Sequence, residues 1–255
     1  MNYMVSASTD VGTTKQTNQD AINVKTMIVH GKPAVFAVVC DGVGGLQKGE
    51  LASATLVKAF SDWTKTRLAP LVLEGITNAA ICREWNELIV NVSGKICTFG
   101  KKNGISLGST ITAMLFYESN YYIVNVGDTR AYEIGETVNV LTKDQTLVAR
   151  EVELGLITPE QALQDPRKNI LLQCVGASEN VFPDFFFGTI KPETVYILCT
   201  DGFRHVLTMQ ELQNYYNPKR IVHREHLKQT ELDLIEINKQ RAERDNISVV
   251  SIKTF

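Results

Sequence analysis

The chain has five cysteines among its 255 residues, an odd number, with no Cys-x-x-Cys spacing. That argues against a disulfide framework and a cysteine-based zinc site, and Cys40 and Cys199, each inside an apolar run, read as reduced core residues. There is no basic stripe. Lys and Arg number 26 against 28 Asp and Glu, for a net charge of −2 with the cations dispersed, so nucleic acid is not an expected partner. No apolar run approaches the roughly 20 residues that cross a bilayer. The start, Met1-Asn2-Tyr3-Met4-Val5-Ser6, has neither a basic n-region nor an apolar h-region. The expectation is a cytoplasmic protein with no membrane association. Pro/Ser tracts, charge blocks, low-complexity stretches and internal repeats are also missing, so residues 1–255 are expected to form one domain, long enough to bury a full core. A monomer is the expected state.

What the chain does have is a set of aspartates at the ends of short apolar runs. Residues 33–40 lead into Asp41-Gly42, 121–126 into Gly127-Asp128, and 194–199 into Thr200-Asp201-Gly202. Asp245-Asn246 precedes 247–252, and Asp20 precedes the alternating 21–24. Asp-Gly after an apolar run is also the commonest turn signal, so each aspartate singly reads as a turn residue. Two features go further. Asp41-Gly42-Val43-Gly44-Gly45 carries too many glycines for a plain hairpin, and suits a backbone that approaches a ligand closely. Asp245 precedes its strand and is followed by Asn, which turn chemistry explains poorly. Residues this far apart converge only if their strands lie side by side, and converging carboxylates suit hard, oxygen-preferring divalent cations.

The hydrophobic period orders the rest. The opening third reads strand, strand, helix, with Ala52, Leu56, Ala59, Phe60 and Trp63 at helical spacing. A second amphipathic helix carries Ile81, Trp85, Leu88, Val92, Ile96 and Phe99. From Gly108 the period falls to two, predicting consecutive antiparallel strands at 109–116, 121–126, 129–133 and 137–141. A helical insertion at about 145–174 follows, with Gly155 as a C-cap and Thr158-Pro159-Glu160-Gln161 as a capping box. A strand at 194–199, a helix capped by Thr208 and Glu211, a charged helix at 224–243 and a strand at 247–252 close the chain. This pattern predicts an α+β fold: two stacked, mostly antiparallel β-sheets flanked by helices, an α-β-β-α sandwich with a cleft along one edge.

In this order the motifs resemble those of the metal-dependent protein phosphatases of type 2C (the PPM family), in the short bacterial form. Lys15-Gln16-Thr17-Asn18-Gln19-Asp20 is similar to an Arg-x-x-Asn-x-Asp opening, and Asp41-Gly42-Val43-Gly44-Gly45 with Gly49-Glu50-x-Ala52-Ser53 to the glycine-loop motif. Gly108-Ser109-Thr110, Asn125-Val126-Gly127-Asp128-Thr129-Arg130, Leu141-Thr142-x-Asp144, Thr200-Asp201-Gly202 and Asp245-Asn246-Ile247-Ser248-Val249 match in turn, over nearly the whole length. The resemblance implies a cytoplasmic enzyme that removes phosphate from phosphoserine and phosphothreonine in proteins, including a serine/threonine kinase or its substrates.

The same resemblance implies two divalent cations, Mn2+ or Mg2+, with a third, weaker ion in bacterial relatives. Asp41 would bridge the pair, with the Gly42 carbonyl on one ion and Asp201 and Asp245 on the other. Asp20 would hold a water on the metal, and Asp128 would join Asp201 around the third ion. Lys15 stands where the family usually has an Arg that binds the substrate phosphate; a point charge replaces a planar fork, so orientation is looser. Being no ligand for a hard cation, Lys15 is expected to leave metal binding unaffected. Some members place a His directly after the first Asp-Gly as general acid; Val43 occupies that position here, so the leaving oxygen would take its proton from water on the metal. Arg130 is expected to anchor its turn. His223 and His226 are three apart on a charged helix and read as solvated, and no role is assigned to His205. The 145–174 insertion corresponds to the family's mobile flap, where Asp144-Gln145-Thr146 replaces Asp-His-Ser and Asp165-Pro166 replaces His-Pro. Two alternatives stand beside this reading: a catalytically weak pseudophosphatase that binds phosphoproteins, and a phosphatase of a small phosphorylated metabolite.

Overall fold

Alternate residues of one strand face two different cores. In β3 (Lys32–Cys40), Val35, Ala37 and Val39 point between the sheets, while Phe36, Val38 and Cys40 point at a helical layer. A strand buried on both faces reads as an unbroken apolar run, which is why the run before Asp41 shows no alternation. The computed structural model describes residues 1–43 and 48–255. Gly44 and Gly45 of the glycine loop lie outside the described residues.

In chain order, β1 (Tyr3–Asp10), β2 (Ala21–Val29) and β3 are followed by α1 (Gly49–Thr66), α2 (Leu68–Gly75) and α3 (Asn78–Asn103). Next come β4 (Ile111–Tyr117), β5 (Asn120–Val126), β6 (Arg130–Ile134) and β7 (Val138–Val140), then α4 (Leu147–Glu153) and α5 (Pro159–Gln164). β8 (Asp184–Thr189), β9 (Val195–Cys199), α6 (Asp201–Arg204), α7 (Met209–Tyr215), α8 (Arg224–Gln240) and β10 (Ile247–Thr254) complete the chain. Two five-stranded sheets form, in the orders β1-β10-β9-β6-β7 and β2-β3-β4-β5-β8, and every paired neighbour is antiparallel.

The sheets stack through Val35, Phe116, Ile123, Tyr196, Leu198 and Val250. Phe60, Trp63 and Trp85 of α1 and α3 pack with Phe36 on the outer face of the second sheet, their rings 5.6–6.5 Å apart and mostly edge-on or tilted. Phe203, Leu212, Leu227 and Leu234 of the later helices cover the outer face of the first. The four-layer sandwich follows from the pattern of burial.

Four elements were not anticipated, among them the short α6 that Asp201 opens. β1 was hidden because its helix-facing residues are polar: buried Ser6 and Ser8 donate to Glu231 Oε2 at 2.8 and 2.6 Å. β8 is an edge strand whose Phe185-Phe186-Phe187 run gives no alternation, and α2 is a short apolar helix between the two long ones. The charged helix stops at Gln240, short of the expected 243, because Ala242 takes a left-handed φ of 60°. Glu243 is thereby released toward the cleft. In the insertion, Gly155 follows α4 at φ 68° and Thr158 caps α5 reciprocally with Gln161.

Candidate active site

Asp41 follows β3, Asp128 follows β5, Asp201 follows β9, Asp20 precedes β2 and Asp245 precedes β10. The Gln19 main chain ties three of these segments together. Its amide donates to Asn246 Oδ1 at 2.9 Å, and its carbonyl accepts from the Gly42 amide at 3.1 Å and from Ser53 Oγ at 2.6 Å. A Cβ on Gly42 would lie 2.5 Å from the Gly49 carbonyl carbon, so only glycine lets these backbones meet. Asn246 also donates to the Val11 and Thr17 carbonyls, which fixes the loop that carries Lys15 and Asp20.

Asp41 is held through its backbone. Its amide donates to Thr110 Oγ1 at 3.1 Å, and its carbonyl accepts from the Thr110 amide and Ser109 Oγ, both at 2.8 Å. That is the physical content of the Gly108-Ser109-Thr110 motif. Asp201 opens α6, where Gly202 packs so tightly on the Asn246 carbonyl that a Cβ would come within 2.2 Å. Thr200 Oγ1 donates to Asp20 Oδ2 at 3.1 Å. Asp245 Oδ1 accepts from the Asn246 amide at 2.9 Å and lies 3.2 Å from Lys15 Nζ, both side chains about one-third exposed.

Asp128 stands slightly apart, beside a pair of arginines. Arg204 Nη2 donates to the Asp128 carbonyl at 3.0 Å and to Asp144 Oδ2 at 3.2 Å. Arg130 grips both oxygens of Asp144 at 2.7 Å, so it anchors its turn as expected. From Asp128 a cleft of about 560 Å³ opens between α4/α5 and α6/α7, with Val148, Val152, Leu163, Leu207 and Met209 on its walls.

The charges act on one another. Burial, then the charges of Asp20, Asp201, Asp128 and Asp245, hold the Asp41 carboxyl well above the usual carboxylate range. Burial, with Asp201 and Asp245 adding to it against hydrogen bonds from Ser248 and Thr200, pushes Asp20 up to about 7. Asp128 is also pushed up to about 7, by burial and by Asp201, although Arg204 draws it down. Asp41 is thus within electrostatic reach of each of the other four carboxylates.

His205 is the residue that the sequence reading passed over. Its Nε2 lies 3.3 Å from Asp201 Oδ2 and its Nδ1 3.4 Å from Glu243 Oε2. Burial lowers its pKa, but the bond to Glu243 and the Asp201 charge outweigh that and raise it. The available signal was its spacing of four from Asp201 on a helical turn. Glu243 Oε1 also accepts the Arg244 and Asp245 amides at 2.7 and 3.0 Å, so one carboxylate orients both His205 and the Asp245 turn. His223 and His226, with ring centroids 5.4 Å apart, stand exposed at the start of α8, the opposite end of that helix from Asp245.

The donors suit a hard cation in kind, being oxygen throughout. Two of them also lack any other partner: Asp20 Oδ1 and Asp201 Oδ1 are shut off from solvent with no hydrogen bond, an arrangement that costs free energy unless a cation or proton meets it. Among the described residues no three His, Cys, Asp or Glu side chains yet enclose a single point, so side-chain turns would have to complete a coordination shell.

The fold is a two-sheet sandwich with helices outside and aspartates at its strand ends. The family model for protein phosphatase 2C matches residues 12–242, and the chain belongs to that family. It is 32% identical over 191 residues to the serine/threonine phosphatase stp of Listeria welshimeri, covering 72% of this chain and 73% of that one. The solved serine/threonine phosphatase of S. agalactiae superposes with a TM-score of 0.84 at 26% identity, over 100% of both chains. The catalytic domain of the serine threonine protein phosphatase PstP, solved in complex with 2 manganese ions, shares the fold with a TM-score of 0.79 at 21% identity, over 98% of this chain and 97% of that one. The chain is a phosphoprotein phosphatase.

Proposed function

We propose that the chain hydrolyses phosphoserine and phosphothreonine in proteins with the aid of two divalent cations, Mn2+ or Mg2+. The observation that carries this reading is the pair of buried, unpartnered oxygens Asp20 Oδ1 and Asp201 Oδ1 within a field of five carboxylates. Asp41, Asp201, Asp245 and the Gly42 carbonyl would hold the ions, Asp20 would orient water beside them, and Asp128 would serve a third, weaker position. When bound, a cation pair supplies charge neutralisation and a nucleophile at neutral pH, toward a barrier reduction on the order of 20 kcal/mol.

The remaining work falls to the chain's own groups. Lys15 would draw a phosphoryl oxygen into line, a point charge one-third exposed at the mouth of the site. His205, fixed by Glu243, would keep Asp201 from turning away. Thr200 does the same for Asp20 Oδ2. With Val43 after Asp41-Gly42, no side chain at that place can donate a proton to the leaving serine oxygen.

We take residues 1–255 to be one catalytic domain with a flap at 145–174, working as a cytoplasmic monomer on phosphorylated proteins, among them a serine/threonine kinase or its substrates, without nucleic acid. Among the described residues no helix is long and apolar enough to cross a membrane. Initial rates on a phosphothreonine peptide, with manganese and with chelator, test the proposal: turnover that needs the metal is expected, and equal rates in both would overturn it.

A further inference from the structure

Lys15 Nζ lies 3.2 Å from Asp245 Oδ1, and that carboxylate is one of the groups assigned above to a divalent ion. One carboxylate thus faces two cationic claimants. Oδ1 already accepts the Asn246 amide at 2.9 Å, so Asp245 cannot turn freely to serve both. Neither partner is locked by burial: the two side chains are 32% and 37% exposed. Lys15 hangs from the segment that Asn246 pins to Thr17 and Val11, so its base is fixed while its four-carbon stem can swing.

We propose that Lys15 and the divalent cation compete for Asp245, so that metal binding releases the Lys15 ammonium to take the substrate phosphate. This rests on the metal-dependent reading above and adds an order to it. Metal binding is then not independent of Lys15, against the expectation drawn from its poor ligand chemistry. An ammonium need not ligate a metal to compete with it for a carboxylate. Linkage makes the effect reciprocal: whatever draws Lys15 off Asp245 must tighten the metal, and by the same factor the metal must tighten that ligand. The chain would thus hold its phosphate-binding cation in reserve until an ion is in place.

Calorimetric titration of manganese into the full-length chain, without substrate, tests this on wild type, Lys15→Ala and Lys15→Arg. For an exposed ion pair the alanine variant should bind manganese roughly two- to five-fold more tightly, with the arginine variant close to wild type. The gap should narrow between about 50 mM and about 500 mM salt, because exposed pairs are screened. Inorganic phosphate, used as the probe for the second half, should tighten manganese more in wild type than in Lys15→Ala. Circular dichroism of the variants establishes that they are folded. Equal or weaker manganese binding by Lys15→Ala would overturn the competition, and so would identical phosphate coupling in the two proteins. No manganese binding by any of the three would instead defeat the metal-dependent reading on which the proposal rests.

Discussion

Asn246 Oδ1 accepts the Gln19 amide across 227 positions of sequence, at 2.9 Å. With its two donated bonds to Val11 and Thr17, this buried side chain joins the β10 end of the site to the loop bearing Asp20. Asn246→Ala should leave the Gln19 amide unpaired and destabilise the fold by about 1–3 kcal/mol. It should also weaken manganese binding, because Asp20 loses its fixed position. Chemical denaturation with chelator and manganese titration measure the two effects separately. A variant that keeps both values would mean that the contact is incidental.

The carboxylates should show opposite signs with and without metal. Asp41→Asn removes one charge from a crowded set that burial already penalises. With chelator its melting temperature should therefore rise above wild type. With manganese the order should reverse: an ion about 100-fold above its dissociation constant adds roughly 2.7 kcal/mol to wild type, and the variant should gain much less. Asp41→Ala, Asp201→Ala and Asp245→Ala should each lose most activity, and losses of only two- or three-fold at all three would sink the shared-site assignment.

The pH dependence follows from the same groups. Asp20 and Asp128 are pushed up to about 7, above an unfolded value near 3.9, and Asp41 is raised as well. The folded state thus binds more protons than the unfolded state between those values. Their contribution to stability is present below about pH 4 and is lost as pH rises through 7. In chelator the melting temperature of wild type should fall across pH 5 to about 7.5, and Asp128→Asn should flatten that slope. Manganese should remove it by replacing the protons.

Much of this site was readable because a strand end plus a charged residue leaves a local mark. Asp41, Asp128, Asp201 and Asp245 each adjoin an apolar run at a strand end, and the charges of the other three raise the Asp41 carboxyl. What holds them was less readable. Glu243 sits where a charged helix was expected to continue, and only the left-handed turn at Ala242 releases it toward His205. Ser6 and Ser8 hid β1 because their partner, Glu231, lies more than 220 residues away. Polar residues made legible only by a distant partner carry no periodic signal of their own.

If Lys15 holds the substrate phosphate, Lys15→Ala should lose a charge-assisted hydrogen bond of about 1.5–3 kcal/mol, a 10- to 150-fold drop in kcat/KM. Lys15→Arg should hold or improve the value, since a guanidinium can engage two oxygens. Rates must be taken at saturating manganese, so that altered metal affinity does not enter. An alanine variant as fast as wild type would leave the phosphate to the metals alone.

Gln145 stands where the resemblance implies a histidine, and its side chain does structural work at the start of the 145–174 insertion. Its Oε1 accepts the Gly127 amide at 2.8 Å and Gln173 Nε2 at 2.9 Å, and its Nε2 donates to Asp184 Oδ2 at 2.8 Å. Its backbone amide donates to the Gly127 carbonyl at 2.9 Å. Gly127 precedes Asp128, so one residue couples the start of the insertion to that aspartate. Gln145→Ala should leave the buried Gly127 amide unpaired, costing about 1–3 kcal/mol. If the flap positions protein substrates, kcat/KM on a phosphothreonine peptide should fall further than on p-nitrophenyl phosphate, which has no flanking peptide to be positioned. Equal losses on both would place the effect at Asp128 alone. Gln145→His, retaining a ring nitrogen in place of Oε1, should recover part of the peptide activity if the acceptor to Gly127 is what matters.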